Sequence, residues 1–160
     1  MNSKCLIIAG LMLVFTACSP VEEHYYQFRS FSSGAWDAQE EIRFEVPVQS
    51  IRQLYNVFLE LRNTNEYNFR NIWLVVDILN TDGSLQTDTI HATLADRNGR
   101  WYGNGISIYD TEIPVQTNIQ YPDSGIYVYT IRQEMSENPL RGITDVGLRV
   151  MKRVKSEPDY

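Results

Sequence analysis

Cys18 carries the clearest chemistry in the sequence. It ends the run Phe15-Thr16-Ala17-Cys18, behind Lys4 and an apolar stretch over residues 6–14. A charged start, a short apolar core and small residues before the cut describe a bacterial secretory signal. With cysteine at the cut, the pattern is that of a lipoprotein signal. Cleavage is expected between Ala17 and Cys18, the Cys18 thiol takes the lipid, and its freed amine becomes the new N-terminus. Phe15 stands where Leu is commonest in such signals. The apolar run is too short to cross a bilayer, which needs about 20 residues. Residues 1–17 therefore read as a cleaved signal. The mature chain is expected to sit on a membrane surface, held by two or three acyl chains at about 0.8 kcal/mol per buried methylene.

Other chemistry finds little support. The only histidines are His24 and His91, and neither has a His-x-x-His or Glu-x-x-His spacing. Cys5 leaves with the signal and Cys18 is acylated, so the mature domain keeps no thiol for a disulfide, a metal or a nucleophile. Asn80-Thr81-Asp82-Gly83 and Asp96-Arg97-Asn98-Gly99 alternate oxygen ligands around a glycine, but lack the distal bidentate Glu of a calcium loop. They read as hairpin turns. Gly-x-Ser-x-Gly, Ser-x-x-Lys and phosphate-cradling glycine loops do not occur. Asp37, Glu66, Asp96 and Asp110 are carboxylates that a glycosidase could pair, but nothing in the sequence pairs them. No catalytic residue, metal or cofactor is read, and the protein is not expected to be an enzyme. The mature chain balances 13 basic against 20 acidic residues, net −7. That argues against nucleic acid and against a polybasic membrane patch.

Aromatic side chains offer a second kind of chemistry. Trp36 and Trp101 sit beside the turn residues Gly34 and Gly99, where a rim position could make flat platforms for sugar rings. Packing is the competing reading for both. Trp73 lies inside an apolar run and is expected in the core. Two polar segments read as long loops: 62–69, with Arg62, Asn63, Asn65, Glu66 and Tyr67, and 139–147. Either could dock another protein, as could the stretch Asp96, Arg100 and Trp101. The asparagines could equally shape their own loop.

The elements that must position these residues are almost all strands. After a polar tether (18–23, with Pro20 opposing helix), one domain is expected over 24–155, with a tail at 156–160. Ile42-Arg43-Phe44-Glu45-Val46 alternates strictly. Tyr55, Val57, Leu59 and Leu61 share one strand face. Phe58 interrupts the polar face, so something should cover it there. The run 72–79, apolar on both faces apart from Asp77, predicts a central strand packed on two sides. Further strands are predicted at 87–94, 106–109, 113–119, 126–133 and 146–154. One short helical turn is expected near 134–141, limited by Pro139. Eight or nine short strands without a long helix predict an all-β fold, an antiparallel β-sandwich with the jelly roll as one form.

Four stretches carry a resemblance to a known family. Tyr26-Gln27-Phe28-Arg29, Leu61-Arg62-Asn63-Thr64-Asn65-Glu66-Tyr67, Leu94-Ala95-Asp96-Arg97-Asn98-Gly99-Arg100-Trp101 and Asp145-Val146-Gly147-Leu148-Arg149 run in family order over nearly the whole mature chain. Together with the lipidation cysteine they resemble the GldH gliding-motility lipoproteins of the Bacteroidetes. The resemblance implies a non-catalytic, envelope-anchored accessory of the gliding apparatus, linked to type IX secretion. Its partners would be other envelope gliding or secretion proteins, with no nucleic acid and no small-molecule substrate. Only Cys18 transfers as a functional position. Ser19 after the cysteine favours the outer membrane. Glu22 and Glu23 come late for a surface-export signal, which favours the periplasmic face. Asp88-Thr89-Ile90 also resembles the short O-glycosylation signal of periplasmic Bacteroidetes proteins. The alternative reading is a carbohydrate-binding envelope lipoprotein using Trp36 and Trp101.

Overall fold

The computed structural model describes residues 23–153. The signal, Ala17, Cys18 and the tail at 156–160 lie outside them. Strand formation follows apolar alternation. β3 (Ile42–Val48) buries every second residue, placing Ile42, Phe44, Val46 and Val48 inward and Arg43 and Glu45 outward. β4 (Tyr55–Thr64) does the same with Tyr55, Val57, Leu59 and Leu61. Each such side chain gains about 1.5–3 kcal/mol from burial, which fixes the facing of its strand.

The other long strands are β1 (Glu23–Ser30), β5 (Asn71–Leu79), β6 (Leu85–Thr93), β8 (Ile108–Ile119), β9 (Gly125–Gln133) and β11 (Ile143–Lys152). Three two-residue strands join them: β2 (Ala35–Trp36), β7 (Asn104–Gly105) and β10 (Leu140–Arg141). Two sheets, with the orders β1-β11-β4-β8-β7 and β3-β9-β5-β6, form the layers, and β10 pairs with β2 in a third, two-stranded sheet; all pairing is antiparallel. The inner faces of the two layers share one apolar core. Counting only the long strands, first pairs with eighth, second with seventh, third with sixth and fourth with fifth. That nesting is the jelly-roll form of the sandwich. Its innermost hairpin turns at Asn80-Thr81-Asp82-Gly83, where Gly83 has φ +83° and the Asp82 carboxylate accepts the Ser84 N–H at 2.8 Å.

Several sequence expectations need correction. No helical turn forms at 134–141: residues 136–139 bend, and Leu140 and Arg141 then pair with Trp36 and Ala35 as strands. The predicted strands at 106–109 and 113–119 are the single strand β8, which bulges against β4. β5 is packed on one side only. Ile72, Leu74, Val76 and Ile78 are buried, while Trp73 on the other face is 42% exposed and stacks on His91. Residues 62–64 belong to β4 and 143–147 to β11, so the two predicted loops are shorter than they read.

Candidate functional site

The alternation that buries one face of β4 sends Phe58, Glu60 and Arg62 to the outer face of the larger sheet. Strand register sets their neighbours in three rows. Tyr26, Arg149, Phe58 and Pro114 lie side by side, then Phe28, Gly147, Glu60 and Glu112, then Ser30, Asp145, Arg62, Asp110 and Asn104. Arg62 pairs with Asp110 at 3.1 Å, and its guanidinium lies 4.1 Å from the centre of the Phe28 ring. Arg149 contacts Glu112 and stands 2.8 Å from the Glu60 carboxylate. Its Nε–H is not aligned on that oxygen, so the contact is Coulombic rather than a hydrogen bond. Arg149 also lies 5.6 Å from the Phe58 ring and 6.0 Å from the Tyr26 ring. It supplies the cover that Phe58 needs.

Glu60 is the unusual member. It is 5% exposed although it lies on the outside of the sheet, because the side chains around it close over it. Desolvation raises its carboxyl above the ordinary range, with Arg149 pulling the other way. Burial likewise raises the Tyr26 hydroxyl. Phe28 lies flat on Gly147, where an added Cβ would meet the ring at 2.7 Å. The result is a preorganised surface of three aromatic rings and two arginines among four carboxylates. Among the described residues no other element covers it.

A cleft opens at one end of the sandwich, next to the third row. The Asp96 carboxylate accepts the N–H groups of Asn98 (2.8 Å) and Arg100 (3.0 Å), which holds its own pKa below the usual value and shapes the turn. Ala95 bridges to Trp101, whose Nε1–H donates to Asn65 Oδ1 at 3.0 Å. The Trp101 ring packs between Tyr67 (6.2 Å) and Tyr109 (5.8 Å). Asn65, Gly99, Arg100, Trp101, Asn104 and Tyr109 line a space of about 410 Å³ with Gly103 and Gly105.

The residues singled out in the sequence thus divide. Asn65, Arg100 and Trp101 line the cleft. Tyr67 is buried beneath it, donates its hydroxyl to Asn71 O, and has its ionisation pushed well above the normal tyrosine range by burial. Asp96 shapes the turn. Arg62 belongs to the sheet face. Glu66 is exposed on the connecting loop and outside the cleft. Asn63 is fully buried, so neither Asn63 nor Tyr67 can touch a partner directly. Trp36 is corrected as well. It is fully buried, stacked on Phe31 and donating to Glu40 O, because β10 draws β2 inward. It is no sugar platform. Asp110, a possible acid or base in the sequence, is held by Arg62, and Asp37 accepts the N–H of Gln39. Sequence reasoning missed Tyr26, Phe28, Phe58, Glu60, Glu112 and Arg149 as one surface, and Asn104 and Tyr109 in the cleft. The two-residue spacing of Tyr26 with Phe28 and of Gly147 with Arg149 is the signal that could have found the face.

Comparison with known proteins now adds identity. The family model described as GldH lipoprotein matches residues 23–150. A gliding motility lipoprotein GldH homolog from Christiangramia forsetii is 28% identical over 149 residues, covering 88% of this chain and 90% of the relative. The gliding motility lipoprotein GldH of Flavobacterium johnsoniae is 29% identical over 160 residues, covering 95% and 97%. Among solved structures, one of the infectious bursal disease virus Gx strain aligns with 86% of this chain and 32% of its own, at 15% identity and a TM-score of 0.33. That likeness is too low to carry an argument. The family match spans β1 and nearly all of β11 with everything between, so the chain belongs to the GldH lipoprotein family.

Proposed function

We propose that the protein is a lipid-anchored, non-catalytic component of a gliding-motility machinery linked to type IX secretion. It works by holding an envelope partner on the outer face of the larger sheet. Family membership supports the motility role, and both relatives carry gliding motility in their names. The observation that carries the docking face is the cluster of Tyr26, Phe28, Arg62 and Arg149 around the enclosed Glu60. Tyrosine and arginine on a preorganised, partly desolvated surface are the residue types that dominate binding energy. The carboxylates here are bracketed by arginines on a flat face, which suits ion pairing with a partner better than acid–base chemistry.

The anchor follows from the sequence. Residues 1–17 are removed, Cys18 takes the lipid, 18–23 form the tether and the domain continues to 155. Five residues from Cys18 to Glu23 reach at most about 18 Å, so the start of β1 stays near the membrane. β1 then runs about 23 Å to Ser30, and the cleft lies at that end of the sheet, away from the tethered start of β1. The outer membrane, on its periplasmic side, is the proposed site.

Deletion of the gene in its host, with complementation, tests this reading. Loss of colony spreading and of type IX cargo secretion is expected, restored by wild type and not by Cys18→Ala. Tyr26→Asp places a charge on the face at a side chain already 42% exposed. It is expected to fold and accumulate normally and to fail in complementation. Normal spreading and secretion in the deletion strain would sink the motility reading. Full complementation by Tyr26→Asp would move the docking surface elsewhere.

A further inference from the structure

We propose that the distal cleft between the Asp96–Trp101 turn and the β7–β8 ribbon is a binding site for an oligosaccharide. Four features of its lining point to this class. First, two aromatic side chains, Trp101 and Tyr109, are among its lining residues, and the Trp101 Nε1–H is already bonded to Asn65. Aromatic surface of this kind packs against the C–H patches of a sugar ring. Second, the polar groups in the same wall match hydroxyls. Asn65, Asn104 and Arg100 are lining residues whose side chains carry amide and guanidinium groups.

Third, the charge is inverted relative to the molecule. The chain is net −6, yet Arg100 is the one formally charged residue in the lining and no carboxylate joins it. Neutral or acidic sugars are admitted and cations are not favoured. Fourth, the wall is held low and fixed. An added Cβ at Gly105 would lie 1.8 Å from Ile108 O, and at Gly103 2.6 Å from Thr111 Oγ1, so neither position can carry a side chain into the space. The Tyr109 hydroxyl donates to Ile106 O at 2.8 Å, and Trp101 is held by Asn65 and by the bridge to Ala95. A site fixed before binding loses little side-chain entropy on binding. A single arginine without a phosphate-cradling loop makes the cleft a poor nucleotide site.

The site adjoins the docking face, with Asn104 at the shared edge, but it is a different surface from the Tyr26 and Arg149 side of that face, and its failure leaves the motility reading intact. The test uses detergent-solubilised full-length protein against chitotriose, cellotriose, maltotriose, mannotriose and trigalacturonate, read by indole NMR shifts and calorimetry. At least one probe is expected to bind with a Kd of about 1 mM or tighter. Trp101→Ala and Asn104→Ala should each weaken it by about tenfold, equivalent to about 1.4 kcal/mol. Asn104 is exposed, so its variant separates binding from folding. Trp73→Ala, at an exposed tryptophan outside the cleft, should leave binding unchanged. Absence of binding by all five probes overturns the proposal. So does binding that survives Asn104→Ala and Arg100→Ala, or that is lost with Trp73→Ala.

Discussion

Replacing Arg149 by alanine is expected to destabilise the domain by about 3 kcal/mol at neutral pH and by far less in acid. Removing one partner of a buried ion pair leaves the other charge desolvated and uncompensated, typically at a cost of about 3–5 kcal/mol. The lower end applies because the Arg149 side chain is itself one quarter exposed. Glu60 is the group left behind, with its side chain 7% exposed. The pH dependence follows from its ionisation. Desolvation already holds the folded-state pKa above the ordinary value of 4.5, and Arg149 opposes that rise. Without Arg149 the folded pKa climbs further. A raised carboxyl contributes stability that is fully present below 4.5 and lost as pH rises through the folded value. The variant should therefore approach wild type below pH 4.5 and fall away above it. A residual loss remains in acid, since the guanidinium also packs on Phe58 and Tyr26.

Urea unfolding of wild type and variant across that range reads the effect directly. Glu60→Gln in the Arg149→Ala background removes the stranded charge while keeping the shape, and is expected to recover most of the loss at neutral pH. An equal penalty at acid and neutral pH would show that Arg149 acts by packing alone. No rescue by Glu60→Gln would show the same.

What the sequence made legible here follows sequence distance. The alternation in β3 and β4 is local, and it places Ile42, Phe44, Leu59 and Leu61 correctly. Asp82-Gly83 and Asn98-Gly99 are local turn signals, and both turns form. Trp36 and Trp73 show where local reading ends. Trp36 stands between Gly34 and Asp37 and reads as a rim residue. It is buried because Leu140, more than a hundred residues later, pairs with it. Trp73 sits in an apolar run and reads as core. It is exposed because β5 has a second layer on one side only. The docking face depends on register across β1, β11, β4 and β8, whose order in space follows the nested jelly roll and not the chain. Besides the two-residue spacings in β1 and β11, Phe58 is a local hint, an apolar residue on a polar face, and Arg149 answers it from ninety residues away.

Gly142→Ala is expected to cost about 4 kcal/mol, more than a single methyl group normally can. Two effects add. Gly142 has φ +79°, a conformation that costs an L-residue about 1–2 kcal/mol. Its new Cβ would also lie 2.2 Å from the backbone nitrogen of Tyr67, and backbone cannot swing aside as a side-chain end can. Overpacking of this kind costs about 1–3 kcal/mol. The position is tied in on both sides, since Gly142 O accepts the Thr64 N–H at 2.8 Å and Gly142 N donates to Gly34 O at 3.0 Å. Gly34 supplies the control. It has φ +64° with nothing within 4 Å of its added Cβ, so Gly34→Ala should cost only the conformational part, about 1 kcal/mol. The steric part falls on the 64–67 backbone, and Tyr67 lies against Trp101. Gly142→Ala should therefore shift the Trp101 indole signal and weaken the cleft at temperatures where the sandwich still holds. The Tyr26 face, anchored by β1, β11 and β4 pairing, should be spared. Equal penalties for the two variants in urea unfolding would mean that the 64–67 backbone yields freely. The cleft would then lack the rigid floor that its proposed binding depends on.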